Sequence, residues 1–192
     1  MLSWTQLEKS CKNCTKCPLH ETRTNVVFGV GRTDAEIMIV GEGPGESEDL
    51  QGEPFVGKAG QFLDEMLSLI GLRRDLNIYI ANIVKCRPPH NRDPLNSEQE
   101  ACMDYLRGQY AMLRPKVVIC LGRIAASALI HPDFKITKEH GKWFDKDGVK
   151  FTAIYHPSAL LRDESKRPET FIDLKNILEV LKETCRNTYL DI

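Results

Sequence analysis

No run in the sequence approaches the roughly 18 consecutive apolar residues that cross a bilayer as a helix, so the chain offers no membrane-spanning segment. Net charge is also scarce. With 26 Lys and Arg against 27 Asp and Glu, the balance is −1, which gives no global attraction to a polyanion. Any contact with nucleic acid must come from local patches. Internal repeats, low-complexity tracts and long linkers are absent. A composition of 42% hydrophobic and 28% charged residues excludes disordered, collagen-like and coiled-coil classes. Residues Met1 to Ser10 hold Glu8 and Lys9 and no apolar run, unlike a secretory signal. The expectation is a cytoplasmic, monomeric protein folded as one domain over residues 1–192, long enough to bury a substantial core.

Cysteine, by contrast, is plentiful. Seven are many for a reducing compartment, where disulfides do not persist, and the odd count argues against a closed disulfide framework. Cys14-x-x-Cys17 places two thiols within reach of one metal. Cys86 and Cys102 form a second pair, 16 positions apart, and two such pairs can close a thiolate site around zinc or an iron–sulfur cluster. Cys11 competes for a ligand role. Buried free cysteines also serve as small apolar residues, which is the alternative reading of Cys86 and Cys102, and Cys120, inside a strand, and Cys185, in the C-terminal tail, read as structural or incidental.

Four short apolar runs read as strands: Glu36–Val40, Asn77–Ile83, Lys116–Leu121 and Val149–Tyr155. Helical patterns lie between them. Phe62, Leu63, Met66, Leu67 and Ile70 form one stripe, with Gly71 placed to end it. Ser97 and Glu100 predict a capping box that opens a helix running to Leu113, stopped by Pro115. A short Ala-rich helix covers Gly122–Ile130, and Phe171, Leu174, Leu178 and Leu181 mark the last one. Strands alternating with helices predict an α/β layered fold with parallel pairing. In such sheets ligands bind beyond the carboxyl ends of the strands.

The residues at those ends carry the chemistry. Gly41-Glu42-Gly43-Pro44-Gly45 follows the first strand, Val84-Lys85-Cys86-Arg87 the second, Gly122-Arg123 the third and His156-Pro157-Ser158 the fourth. The first loop is not a phosphate-binding P-loop, because Gly57-Lys58 is followed by Ala59 and the acidic Glu42, Glu46, Glu48 and Asp49 repel phosphate. Carboxylates in a tight loop suit a site that opposes developing positive charge or holds a water. Asn82, at the tip of the second strand, offers an acceptor beside a donor. That pair complements N3–H and O4 of uracil and mismatches cytosine. Phe55, among glycines and a proline, packs the core or stacks on a base. Lys85, Arg87 and Arg92 form one basic group, and Arg162, Lys166 and Arg167 another. Each is suited to phosphates or to plain solvation.

Together these segments resemble the family-four uracil-DNA glycosylases, the thermostable-type bacterial and archaeal branch of that superfamily. The matching pieces are Cys14-Thr-Lys-Cys17-Pro18-Leu19, Gly41-Glu-Gly-Pro-Gly-Glu-Ser-Glu-Asp49, Pro54-Phe-Val-Gly-Lys-Ala-Gly60, Asn82-Ile-Val-Lys-Cys-Arg-Pro-Pro89 and His156-Pro-Ser-Ala-Leu-Leu-Arg162. They occur in the family's order across nearly the whole chain. Ser47 and Ala159 depart from it. The resemblance implies a three-layer α/β/α sandwich around a four-stranded parallel sheet and a [4Fe–4S] cluster held by Cys14, Cys17, Cys86 and Cys102, with Cys11 as an extra. It implies excision of uracil from single- or double-stranded DNA. Glu42 and His156 would be catalytic. Gly43, Glu48, Phe55 and Asn82 would line the uracil pocket, and Lys85, Arg87, Ser158, Leu160 and Arg162 would contact DNA, Leu160 as a wedge in the vacated stack. Three other readings compete. One is a relative trapped covalently through a histidine such as His90, another a non-enzymatic DNA-binding module, and the third an iron–sulfur electron carrier.

Overall fold

The computed structural model describes residues 2–189. Six strands make one sheet: β1 (Val30–Gly31), β2 (Ile37–Gly41), β3 (Ile78–Asn82), β4 (Val117–Leu121), β5 (Phe144–Lys146) and β6 (Val149–Ile154). Their order is β1-β3-β2-β4-β6-β5. β2, β3, β4 and β6 pair in parallel, while β1 and β5 join the two edges antiparallel. The sheet is therefore mixed and six-stranded, where the sequence led us to expect four parallel strands. The extra strands are two and three residues long and not fully buried, too short to leave an alternating pattern.

The helices are α1 (Trp4–Lys12), α2 (Leu19–Thr22), α3 (Glu46–Gln51), α4 (Lys58–Ser68), α5 (Asn96–Leu113), α6 (Gly122–Leu129), α7 (Ile136–Glu139), α8 (Pro157–Arg162) and α9 (Arg167–Thr184). None among the described residues is long and apolar enough to cross a membrane. Because side chains alternate across a strand, each parallel strand feeds two cores. Met38, Val40, Ala81, Val118 and Cys120 pack with α1, α5 and α6. Ile37, Ile39, Ile80, Val117 and Ile119 pack with α4, α8 and α9. Both faces are covered, so the strands read as continuous apolar runs rather than alternating ones. Each fully buried Ile or Val contributes about 1.5–3 kcal/mol.

The caps differ in detail from expectation. α5 opens at Asn96, and the carboxylate that closes its first turn is Glu98, which accepts the Leu95 N–H at 2.8 Å. Glu98 is buried and also takes both arms of the Arg92 guanidinium, at 2.6 and 2.9 Å. Ser97 and Glu100 face solvent instead. Arg114 ends the helix in the left-handed conformation at φ +52°, its N–H still bonded to the Tyr110 carbonyl, and Pro115, which lacks an N–H, cannot continue it.

Candidate active site

The parallel strands run β3-β2-β4-β6, so the chain steps from β2 to β3 on one side and then crosses back over β2 to β4 on the other. A crevice forms where the order reverses. There a cleft of about 590 Å³ is lined by the tips of all four strands: Glu42 after β2, Asn82 of β3, Gly122 and Arg123 after β4, and His156 after β6. The acid, the amide and the imidazole face one space.

Asn82 is 1% exposed, and its Oδ1 is a buried acceptor with no partner among the described residues. A buried orphan of this kind costs about 1–3 kcal/mol, which a ligand N–H would recover. The amide packs over Gly41, where an added Cβ would lie 2.4 Å from Asn82 Oδ1 and 2.5 Å from Phe55 Cζ. Gly41→Ala is therefore expected to overpack the pocket floor, at about 1–3 kcal/mol. Tm should fall about 2–4 °C per kcal/mol. An unchanged melting curve would show that the floor yields freely. Gly43 similarly brings the backbone against Val84, with room for a Cβ only 2.7 Å from its methyl.

Phe55 is held at φ +55°, a conformation rare for a bulky residue. Gly60 makes this possible, since a Cβ there would sit 1.9 Å from the Phe55 carbonyl oxygen. The ring lies 5.8 Å from that of His156, tilted by 35°. Glu48 fixes the loop: its carboxylate accepts Val56 and Gly57 N–H, both at 2.9 Å, and Gly45 N–H at 3.1 Å. Glu48 is part of the cleft lining. Its two oxygens bind main chain and join the β2 loop to the Phe55 loop.

Nδ1 of His156 accepts the Ser158 backbone N–H at 3.2 Å and lies 2.8 Å from the Ser158 hydroxyl. A backbone N–H can only donate, so in the neutral ring the proton resides on Nε2. Burial, reinforced by Arg162, pushes His156 down to about 4, leaving a neutral imidazole with a donor at Nε2. Glu42 moves the other way. Burial first, then Asp93, raises it to about 7, against Arg123 and Arg162. Asp93 and Arg123 form an ion pair at 2.8 Å on the cleft wall. No sequence spacing announced that pair.

Two DNA-surface expectations fail. Lys85 is 1% exposed and its ammonium is bonded inside the protein, so it cannot reach a phosphate. Leu160 is 0% exposed, packed in the core beside α4 and α9, whereas the next residue, Leu161, is 39% exposed. Ser158 has its hydroxyl on His156. Arg162 is exposed at the cleft. Arg87 is half-buried and outside the cleft lining, its Nε donating to Asn91 at 2.7 Å and its guanidinium 3.6 Å from Glu46, both of which line the cleft.

Behind the cleft, Cys11, Cys14, Cys17, Cys86 and Cys102 line one small cavity with Lys16, His20, Arg23 and Lys85. Three sulfurs receive N–H groups: Cys14 from Lys16 at 3.5 Å, Cys86 from Arg23 at 3.3 Å and Cys102 from the Lys85 main chain at 3.2 Å. Burial raises Cys102 to about 11, opposed by Lys85, and raises Cys11 to about 12. Thiolates form there readily only if a cation replaces the protons. Among the described residues, no group of three or more His, Cys, Asp or Glu side chains is arranged to hold a single metal ion. Soft thiol donors with N–H groups aimed at sulfur nonetheless suit a thiophilic metal or an iron–sulfur cluster.

Fold and cleft define an α/β protein whose polar, part-buried pocket lies at the switch point of a parallel sheet, backed by a thiol-lined cavity. Residues 28–182 match the family described as the uracil DNA glycosylase superfamily, and the chain belongs to it. It is 47% identical over 188 residues to a type-4 uracil-DNA glycosylase of Archaeoglobus fulgidus, covering 94% of each chain. It is 49% identical over 156 residues to a type-4 uracil-DNA glycosylase of Thermotoga maritima, covering 80% of this chain and 81% of that one. Similarity extends to a DNA polymerase of Bacillus phage SP01, 32% identical over 86% of this chain but only 18% of the polymerase.

Proposed function

We propose that this protein is a uracil-DNA glycosylase that hydrolyses the N-glycosidic bond of a flipped-out deoxyuridine, releasing uracil and leaving an abasic site for base excision repair. One observation carries the reading: the orphaned, buried Oδ1 of Asn82 faces the same cleft as Glu42 and His156. An acceptor with an amide donor beside it matches uracil N3–H and O4, and cytosine reverses both groups.

Cleaving the bond leaves positive charge on the sugar and negative charge on the uracil, and the cleft addresses each. Glu42, as a carboxylate, opposes the sugar charge and accepts a proton from the attacking water. His156 donates its Nε2–H to uracil O2 as charge gathers there, and being neutral it need not lose a proton to do so. Phe55 stacks on the base, and Gly43 keeps the pocket narrow. Arg162 and Arg87 at the rim contact phosphates. The wedge role passes to Leu161, the apolar side chain that α8 exposes. Leu161→Ala is expected to slow release from duplex about tenfold, because unstacking costs a few kcal/mol, and to spare single strands. Equal slowing on both substrates would remove the wedge.

The thiol-lined cavity fits a [4Fe–4S] cluster held by Cys14, Cys17, Cys86 and Cys102, with Cys11 as the spare. When bound, the cluster supplies a covalent cross-link of structural kind. The protein around it already ties the N-terminal arm to the site. Arg23 donates to Cys86 and to the Cys14 carbonyl, and Asp49 of α3 accepts the N–H groups of Thr24 and Asn25. Glu48, its neighbour, holds the Phe55 loop.

The test of the function is incubation with an oligonucleotide containing one uracil, followed by alkaline cleavage at abasic sites. Scission at the uracil and none in a cytosine control is expected. Binding without scission would mean a non-hydrolytic DNA-binding module.

A further inference from the structure

Lys85 lies between the two sites: it lines the thiol cavity and is absent from the lining of the cleft, yet its ammonium is bonded toward the strand end that enters the cleft. Its ammonium donates to the main-chain oxygen of Asn82 at 2.9 Å and to Gln109 Oε1 at 2.7 Å. Gln109, itself fully buried, donates onward to the Phe28 carbonyl at 2.8 Å and to the Tyr79 hydroxyl at 3.0 Å. The Lys85 main chain is held as well: its N–H meets Cys102 Sγ at 3.2 Å and its carbonyl accepts Val27 N–H at 2.8 Å. The Cα register of β1 on β3 reaches only Ile80, so the Asn82 carbonyl lies beyond the edge strand, and Lys85 supplies a donor there.

Burying an ammonium is costly unless it is fully bonded. A methylene-rich side chain would fill the space without that cost, so the charge calls for a function. We propose that Lys85 is a positioning residue, fastening the strand end that bears Asn82 so that the amide meets the base in register, and joining that strand end to the thiol-lined cavity. The proposal rests on the glycosylase reading above and adds a residue that never touches the base. Placement matters at this scale, since a shift of about 1 Å costs up to about 100-fold in rate.

A double-mutant cycle separates this from a general structural role. Single-turnover excision is measured for the parent, Lys85→Met, Asn82→Ala and the double variant. Lys85→Met alone is expected to lower the rate about 10- to 100-fold, and to lower it less than about twofold where Asn82 is already alanine, because its effect passes through that amide. Amide hydrogen exchange at Ile83 and Val84, whose N–H groups bond the Gly41 and Glu42 carbonyls at 2.9 and 3.1 Å, should quicken in Lys85→Met whatever its activity. If Lys85→Met does not fold, Gln109→Met, which keeps the charge but removes its anchor, enters the same cycle. Additive losses with unchanged exchange would overturn the proposal while leaving Asn82 as the reader. Parental excision by Asn82→Ala would overturn both.

Discussion

His156→Ala should slow base release by about 10²–10³-fold while affinity for uracil-containing DNA stays close to parental. The size follows from removing one donor aimed at a developing oxyanion in a site shielded from water. The split between rate and affinity follows because phosphate contacts supply most of the binding, and Arg162 and Arg87 remain. Single-turnover kinetics beside fluorescence anisotropy read both quantities. Equal losses in the two would mean that His156 places the DNA rather than assisting the departure of uracil. Ser158 sharpens the point. By donating to Nδ1 it keeps the proton on Nε2, so Ser158→Ala keeps only the backbone half of that control.

Glu42→Gln should cost about 10²–10⁴-fold, the range for a positioned proton acceptor, and should also flatten the pH profile. In the parent, burial and Asp93 raise Glu42 to about 7. The carboxylate is the active form, so protonation removes activity as pH falls through 7. The rate should drop about tenfold per pH unit below that point and level off above it. His156 adds no limb to the profile near neutrality, because burial has lowered it to about 4 and it stays neutral from pH 5 upward. A parental profile that is flat from pH 5.5 to about 8.5, or a Gln variant with the parental slope, would take the proton-accepting role from Glu42.

The four parallel strands were legible because both faces of each are buried, which leaves compact runs such as Ile37–Val40 and Val117–Leu121. The rim of the site was legible for a related reason. Once strands alternate with helices, topology places every strand's carboxyl end on one edge, and chemistry-bearing residues there share a space. What stayed hidden was the direction of side chains off that framework. Leu160 and Leu161 are adjacent on a six-residue helix, too short for apolar periodicity to say which turns inward. Lys85 looked like a surface cation because nothing near it in sequence identifies Gln109, 24 positions away, as its partner. Glu48 lines the cleft, but the sequence did not show what its oxygens bind. The three N–H groups it accepts belong to Gly45, Val56 and Gly57, a closure set by how the loop folds back. Arg92 belonged to an apparent basic patch and instead neutralises buried Glu98.

Everything in the proposed chemistry depends on three side chains from three strand tips surrounding one pyrimidine. A crystal structure of the protein soaked with free uracil addresses that directly. Uracil should occupy the cleft with N3–H and O4 against the Asn82 amide, O2 toward His156 Nε2 and its ring over Phe55. Uracil found elsewhere, or in the cleft with its N3 edge turned away from Asn82, would contradict the account.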